Sequence, residues 1–292
     1  QGYLQLIKAG KYVEAWQLIY RDNPFPAVCG RVCTHPCQSA CYRASVDGPV
    51  NIRALKRFAA EQAYQDMDSL PLPEVEAPRR ERVAVVGSGP AGLSAAYHLV
   101  KKGYQVTVFE ALPVAGGMMR VGIPEYRLPK KWVDLEVGLL ARLGVEFRYN
   151  TRLGSDITLE ELRKDYQAVF LAIGAHQSNT PGLPGEDLPG VEHGIAFLRR
   201  GALGEPVTVG RRVAVIGGGN TAMDCARTAL RLGAEEVYIV YRRSEAEITA
   251  LPEEIAAARE EGVKFMMLTS PVRFIGREGR LVQMECVKNR LE

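Results

Sequence analysis

Two glycine-rich stretches, Gly87-Ser-Gly-Pro-Ala-Gly92 and Gly217-Gly-Gly-Asn-Thr-Ala222, lie about 130 residues apart. Each follows a hydrophobic run of strand character, Arg82-Val-Ala-Val-Val86 or Arg212-Val-Ala-Val-Ile216, and opens a run of helical spacing. A junction of this kind forces a strand to turn sharply into a helix whose free N–H groups face the turn, which is a cradle for a pyrophosphate. Gly87 permits the tight turn, Gly89 lets backbone approach phosphate, and Gly92 lets the helix pack on the strand. Pro90 and Ala91 open the first helix; Gly217, Gly219, Asn220, Thr221 and Ala222 take the matching places in the second, which ends in Ala instead of Gly. One such motif is weak evidence, but two in context predict two bound dinucleotides and hence electron transfer.

The residues closing the next strand separate the two cradles chemically. Gln105-Val-Thr-Val-Phe-Glu110 ends in an acid about twenty residues after the first motif, where a carboxylate can bond both hydroxyls of an unphosphorylated ribose and would repel a 2′-phosphate. The first cradle therefore suits FAD or NAD; the bland alternative for Glu110 is a surface carboxylate at a strand end. Glu236-Val-Tyr-Ile-Val-Tyr241 ends instead in Arg242-Arg243. Guanidinium forks match a phosphate, so this cradle is expected to prefer NADPH to NADH, the alternative being two solvated arginines.

The 292 residues, 47% of them hydrophobic, suffice for two or three globular domains. A formal charge of +3 with no long like-charged block excludes an evident nucleic-acid or anionic-membrane surface. No apolar stretch approaches the roughly 18 residues of a membrane span, and the N-terminus lacks a signal-peptide layout, so cytoplasmic location is the default expectation. The chain begins at Gln1 without Met and reads as a fragment. Residues 1 to about 70 read as helical, with Tyr3, Leu4, Leu6 and Ile7, then Val13, Trp16, Ile19 and Tyr20, at helical spacing, and a third helix after Pro49. Leu70-Pro-Leu-Pro73 begins a linker, and from Val83 onward strands and helices alternate as in a parallel sheet covered on both faces. The expected organisation is a helical domain over 1–78, a first nucleotide domain over 79–205 and a second over 206–292, with a boundary near Gly204-Glu-Pro206.

Four of six cysteines, Cys29, Cys33, Cys37 and Cys41, recur every four residues. On one straight helix they would climb about 18 Å, far more than an iron-sulfur cubane spans. Pro36 disfavours that helix, so the segment must fold round one cluster or divide its thiolates between two. Zinc or free thiols are the alternative to iron-sulfur, and a disulfide framework does not suit a cytosolic chain of this size. Cys225 and Cys286 read as buried small apolar residues, and His35, His98, His176 and His193 have no mutual spacing that makes a triad or metal site.

Asn23-Pro-Phe-Pro-Ala-Val-Cys-Gly-Arg-Val-Cys33, Gly116-Gly-Met-Met-Arg-Val-Gly-Ile-Pro-Glu-Tyr-Arg-Leu-Pro129 and Gly217-Gly-Gly-Asn-Thr-Ala-Met-Asp-Cys-Ala-Arg227 resemble the glutamate synthase small-subunit family. The same family includes the electron-entry half of dihydropyrimidine dehydrogenase and the NADPH-binding subunit of electron-bifurcating transhydrogenases. The resemblance implies an α/β protein with an N-terminal all-α iron-sulfur domain followed by two Rossmann-like domains, one for FAD and one, inserted into it, for NAD(P)H. It implies electron flow from NADPH (or NADH) through FAD to 4Fe-4S clusters and on to a larger redox subunit or domain, in a hetero-oligomer. Gly116, Gly117 and Arg120 would then border the flavin; without the family the two glycines read as a turn. The family commonly carries a further cysteine run before the point where this chain begins, and a segment returning after the nucleotide insert to complete the FAD domain.

A mechanism of this type rests on holding nicotinamide against flavin and asks no side chain to be a catalytic acid or base. A flavin-dependent disulfide reductase would need a close cysteine pair near the flavin, and none occurs after residue 41. A non-catalytic scaffold with vestigial sites is the remaining alternative, opposed by intact glycines in both motifs.

Overall fold

The computed structural model describes residues 2–290. They form two compact units, one of residues up to Arg120 with Glu125–Gly174, the other of Val121–Pro124 with residues from Ala175 onward.

The first unit starts with α1 (Gly2–Lys8), α2 (Tyr12–Tyr20), α3 (Pro26–Val32), the four-residue α4 (Pro36–Ser39) and α5 (Ile52–Ala63). Gly10, at φ +74°, breaks α1 from α2, and Asn51 caps α5 by accepting from Ala54 N at 3.4 Å. The apolar stripe of α2 buries Trp16, Ile19 and Tyr20, and α5 buries Ala59, Ala60 and Ala63. Helix α3 was not evident from spacing because prolines surround it; Pro26 in fact starts it, a first-turn position where the missing N–H costs nothing. It lies so close to α5 that a Cβ on Gly30 would be 2.7 Å from the Arg57 Cα.

The chain then builds β1 (Arg82–Val86), α6 (Pro90–Lys101), β2 (Gln105–Phe109), α7 (Met118–Val121), α8 (Lys130–Arg142), β3 (Glu146–Arg148), α9 (Leu159–Asp165) and β4 (Ala168–Leu171). The parallel sheet runs β3-β2-β1-β4, so strand order reverses at β1, which is where open α/β sheets leave their ligand crevice. Val83, Ala84, Val85 and Val86 are all buried, as expected for a central strand covered on both faces. A capping box, Thr158 with Glu161, starts α9.

The second unit contains α10 (Gly194–Ala202), β5 (Arg212–Ile216), α11 (Asn220–Arg231), β6 (Glu236–Val240), α12 (Pro252–Glu260), β7 (Lys264–Met266), β8 (Thr269–Arg277) and β9 (Arg280–Lys288). Strands β5-β6-β7 form a parallel sheet, and β8-β9 form a separate antiparallel hairpin turning at Gly279, φ +73°. Met223, Ala226, Val237, Ile239 and Ala258 make its core.

The compact units do not follow the expected ranges 1–78, 79–205 and 206–292. The helical segment packs into one unit with the first sheet, and the second unit begins at Ala175, about thirty residues before Gly204. The cause is bonding to the hairpin: Phe274 N donates to Pro184 O at 2.8 Å and Leu281 N to Pro189 O at 3.1 Å. Helix α10 rests on α11, where Cys225 Sγ sits 3.6 Å from Gly194 O. Among the described residues no helix is long and apolar enough to cross a membrane.

Candidate functional site

In the first cradle each glycine meets a different constraint. Gly87 stands at φ +102°, and a Cβ there would lie 2.3 Å from Ala172 O. A Cβ on Gly92 would lie 1.9 Å from Gly87 O, so the start of α6 touches the turn backbone to backbone. Gly89 has nothing within 4 Å of its would-be Cβ, which leaves an open face for a bound group. Pro90 and Ala91 are exposed at the first turn of α6, whose N–H groups begin at Ala91 because Pro90 has none.

Glu110 is only 7% exposed, and its carboxylate is held in the turn. Ser88 N donates to Glu110 Oε2 at 2.9 Å, the Ser88 hydroxyl donates to the same oxygen, and Leu112 N donates to Oε1 at 2.8 Å. Ser88, which the glycine spacing did not single out, is thus the knot of the cradle: Gly116 N also donates to its carbonyl at 3.0 Å. The Gly116-Gly117 turn lies on the cradle, with Gly116 at φ +117° and Gly117 at φ +50°. Arg120 donates from Nε to Ala115 O at 3.2 Å and pairs with Asp134. Glu110, Gly116 and Gly117 are therefore gathered at one cradle with Gly87, Gly89 and Gly92, and Arg120 braces the turn through Ala115 O.

The second cradle repeats the design more loosely. Gly217 stands at φ +136°, and its would-be Cβ lies 3.5 Å from the Ala222 Cβ, enough room for the alanine that replaces the third glycine. Gly219 is open but for Thr249 Oγ1 at 3.7 Å, and Thr221 is exposed on the first turn of α11. Asn220 turns its Oδ1 to Leu251 N at 2.9 Å, and Gly218 O accepts from Thr249 N and Ala250 N at 3.1 and 3.0 Å. Residues 249–251 thus clasp the motif, a contact invisible in the motif itself.

Arg242 and Arg243 follow β6 with exposed side chains. Their carbonyls are fixed by Asn289 Nδ2 at 2.7 Å and Leu268 N at 3.1 Å. The Arg242 guanidinium makes no hydrogen bond or ion pair among the described residues, and Arg243 Nε stands 3.8 Å from Glu247 Oε1. An acid is therefore near this strand end after all, held by a capping box with Ser244, but it engages only one of the two arginines and that one loosely.

The cysteine run is broken, as Pro36 required. Cys29 lies in α3, Cys33 is extended just after it, His35 takes φ +46°, Cys37 is in α4 and exposed, and Cys41 is extended again. Among the described residues no three His, Cys, Asp or Glu are grouped so as to hold a metal ion. Hydrogen bonds from the backbone at Val50, Arg43 and Ala44 pull the Cys41 thiol down. His35 N donates to Cys33 Sγ at 3.3 Å. Burial pushes the Cys29 thiol up, against its hydrogen bond to Asn23 Oδ1 at 3.8 Å. Cys225 is buried and pushed up to about 12, an inert thiol as expected, and Cys286 is half-buried in β9.

One further group was not anticipated. Glu136, in α8, is fully buried, and burial pushes its carboxyl up to about 8 against donors at Ala27, Tyr64 and Val28. The sequence signal was available: Val133, Glu136, Val137 and Leu140 are all buried at i, i+3, i+4, i+7, so the acid occupies the middle of an apolar stripe.

Comparison with known proteins agrees with this geometry. Residues 81–290 match the family model described as pyridine nucleotide-disulphide oxidoreductase, and residues 1–67 match one described as dihydropyrimidine dehydrogenase domain II, 4Fe-4S cluster. The chain is 44% identical over 313 residues to the NADP(+)-dependent formate dehydrogenase subunit beta of Moorella thermoacetica, covering 99% of this chain and 44% of that one. It is 38% identical to the glutamate synthase (NADPH) small chain of Halomonas elongata, over 99% of this chain and 64% of that one. The chain thus spans roughly half the length of these curated relatives. Among solved structures, Mycobacterium tuberculosis FprA in complex with NADPH shares the fold at a TM-score of 0.58 and 23% identity, over 73% of this chain and 70% of that one.

Proposed function

The chain belongs to the pyridine nucleotide-disulphide oxidoreductase family, and from that premise we propose that it is the electron-entry part of a larger FAD- and iron-sulfur-dependent NADPH oxidoreductase. The cofactor set is FAD, a nicotinamide dinucleotide and a 4Fe-4S cluster. The observation that carries the reading is the contrast between two well-formed cradles, a buried acid beside the first and two exposed arginines beside the second.

Flavin chemistry, when FAD is bound, takes a hydride as an electron pair and passes electrons on singly. The residues of the chain bind and orient. The α6 N-terminus and the open face at Gly89 receive the FAD pyrophosphate, and Glu110, held rigid by Ser88 and Leu112, accepts from the ribose hydroxyls with its remaining lone pairs. Gly116 and Gly117 close the same cradle. The α11 N-terminus, with Gly217, Gly219, Thr221 and Ala222, receives the dinucleotide phosphates of NADPH, while Arg242 and Arg243 take the 2′-phosphate. Asn220 positions the 249–251 clasp. Cys29, Cys33, Cys37 and Cys41 supply thiolates to iron. Electrons then leave to a larger redox subunit or domain in a cytoplasmic hetero-oligomer.

A disulfide-reducing function finds no support: Cys225 is buried in α11 and Cys286 lies in β9. The test is anaerobic isolation of the full-length protein, assay of flavin, iron and acid-labile sulfide, and reduction by NADPH and NADH in turn. Flavin and sulfide with faster reduction by NADPH support the proposal; a protein with neither flavin nor sulfide overturns it.

A further inference from the structure

The loop after β6 returns to the second cradle. Tyr241, at its start, packs its ring on the motif backbone: a Cβ on Gly218 would fall 2.7 Å from Tyr241 Cε2 and 2.9 Å from its Cζ. The Tyr241 hydroxyl donates to Glu247 O at 2.8 Å, and Thr249 N and Ala250 N donate to Gly218 O at 3.1 and 3.0 Å. Glu247 lies six residues beyond Tyr241, yet the ring before it and the backbone after it are both fastened to Gly218. Those two attachments set its place relative to the phosphate cradle.

The side chain is fixed as well. Ser244 N and the Ser244 hydroxyl donate to Glu247 Oε2 at 3.0 and 3.1 Å, closing the capping box of the 3₁₀ turn Glu245–Glu247. Glu247 Oε1 accepts no hydrogen bond among the described residues and has Arg243 Nε at 3.8 Å, beyond hydrogen-bond reach. With both donors on one oxygen, the other keeps its lone pairs for a ligand. Glu245, the acid two residues before, is committed to Arg259 at 2.7 Å, so Glu247 is the carboxylate this strand end offers.

An acid and two arginines at one strand end select opposite things. A carboxylate accepts from the hydroxyls of an unphosphorylated ribose and repels a 2′-phosphate, whereas a guanidinium attracts that phosphate. An exposed ion pair as long as that between Arg243 and Glu247 contributes little, so either partner can turn to a ligand.

We propose that Glu247 is a specificity-determining residue: its free oxygen receives the ribose 2′-hydroxyl of NADH, so the second cradle takes both nicotinamide dinucleotides, Arg242 and Arg243 favouring the phosphorylated one and Glu247 limiting that preference. The proposal rests on the reading that the α11 cradle holds the dinucleotide and the arginines its 2′-phosphate.

The experiment titrates NAD⁺ and NADP⁺, which bind without turnover, into the anaerobically isolated full-length protein, comparing the parent with Glu247→Gln, Glu247→Asp and the double variant Arg242→Ala, Arg243→Ala. Glu247→Gln keeps an oxygen for the Ser244 donors but loses the charge. It is expected to weaken NAD⁺ about tenfold, the loss of a charged acceptor, while NADP⁺ binds as tightly as in the parent or more so, because no negative charge faces the phosphate. Equal weakening of both nucleotides would mean that Glu247 only holds the loop, and unchanged NAD⁺ affinity that the ribose does not meet it; either result overturns the proposal. Should Glu247→Gln fail to fold, Glu247→Asp decides, since it keeps the charge and withdraws the oxygen by a methylene: weaker NAD⁺ with NADP⁺ retained supports the assignment, and any other pattern overturns it. The arginine variant judges the phosphate reading separately. NADP⁺ affinity unchanged there defeats that reading and leaves the NAD⁺ loss in Glu247→Gln to judge the acid, while a parent protein that binds neither nucleotide overturns both.

Discussion

Gly117 lies against Gly89 so closely that a β-carbon on Gly117 would fall 2.6 Å from the Gly89 Cα and 3.2 Å from its nitrogen. Both neighbours are backbone and cannot swing aside. Gly117→Ala must therefore move the turn off the cradle and must also hold alanine at φ +50°. The left-handed backbone alone costs about 1–2 kcal/mol, which is about tenfold in FAD affinity if the bound form requires the native turn. Flavin per polypeptide and equilibrium dialysis check this; unchanged FAD affinity would show that the turn is not part of the site.

The converse change tests the same reasoning at a harmless glycine. Gly138 is in the middle of α8, exposed, with nothing within 4 Å of its would-be Cβ. Gly138→Ala is expected to stabilise the protein by about 0.5–1 kcal/mol through the lower entropy cost of forming helix. Thermal or denaturant unfolding reads the gain, and a loss would mean that α8 packs differently.

Arg242 and Arg243 are exposed and, apart from the loose Glu247 contact, uncommitted. Replacing both with Ala is expected to weaken NADPH binding by about 2 kcal/mol, the worth of hydrogen bonds to a charged group, while NADH binding stays near its parent value. Titration of the two nucleotides side by side separates the effects. Equal loss for both would assign the arginines a structural role.

A pH dependence follows from the buried guanidinium of Arg227, which donates to Glu254 Oε2 at 2.8 Å and to Glu261 Oε1 at 2.8 Å, the latter shared with Arg231. Partial burial draws the Glu261 carboxyl upward, but Arg227 and Arg231 outweigh it and hold it below its ordinary value near 4.5. A carboxyl whose folded pKa is depressed adds stability above its unfolded pKa and loses it as pH falls through the folded one. Glu261→Gln is therefore expected to cost about 2 kcal/mol near neutrality, with the gap to the parent closing as pH drops below 4.5. Denaturant unfolding across pH 3–7 provides the check; a gap that persists at the acid end would contradict the assignment.

The strands beside both motifs, Arg82–Val86 and Arg212–Ile216, were legible because each is a short apolar run and the glycines mark where it ends. Glu136, Ser88 and the 249–251 clasp were less visible, since each acts through a partner distant in sequence or through backbone atoms that composition does not reveal. Helix α3 escaped notice because Pro24, Pro26 and Pro36 look like loop residues until one sees that Pro26 starts the helix. The hairpin β8-β9 was anticipated only as a late strand at Cys286, its register shifts at Pro271 and Ile275 blurring the alternation.

The cysteine run has one more implication. From Cys33 to Val46 the backbone passes through an extended residue, a left-handed histidine, a single helical turn and a 3₁₀ turn, and Tyr42 and Val46 stand 91% and 77% exposed. Such a stretch has little internal support, so on the proposed ligation by its cysteines the free energy of coordinating iron would become its folding free energy. Oxidative dismantling of the inorganic core should then open this peptide to proteolytic nicking while both sheets survive, making a cut between Cys33 and Val46 an early molecular record of oxygen damage.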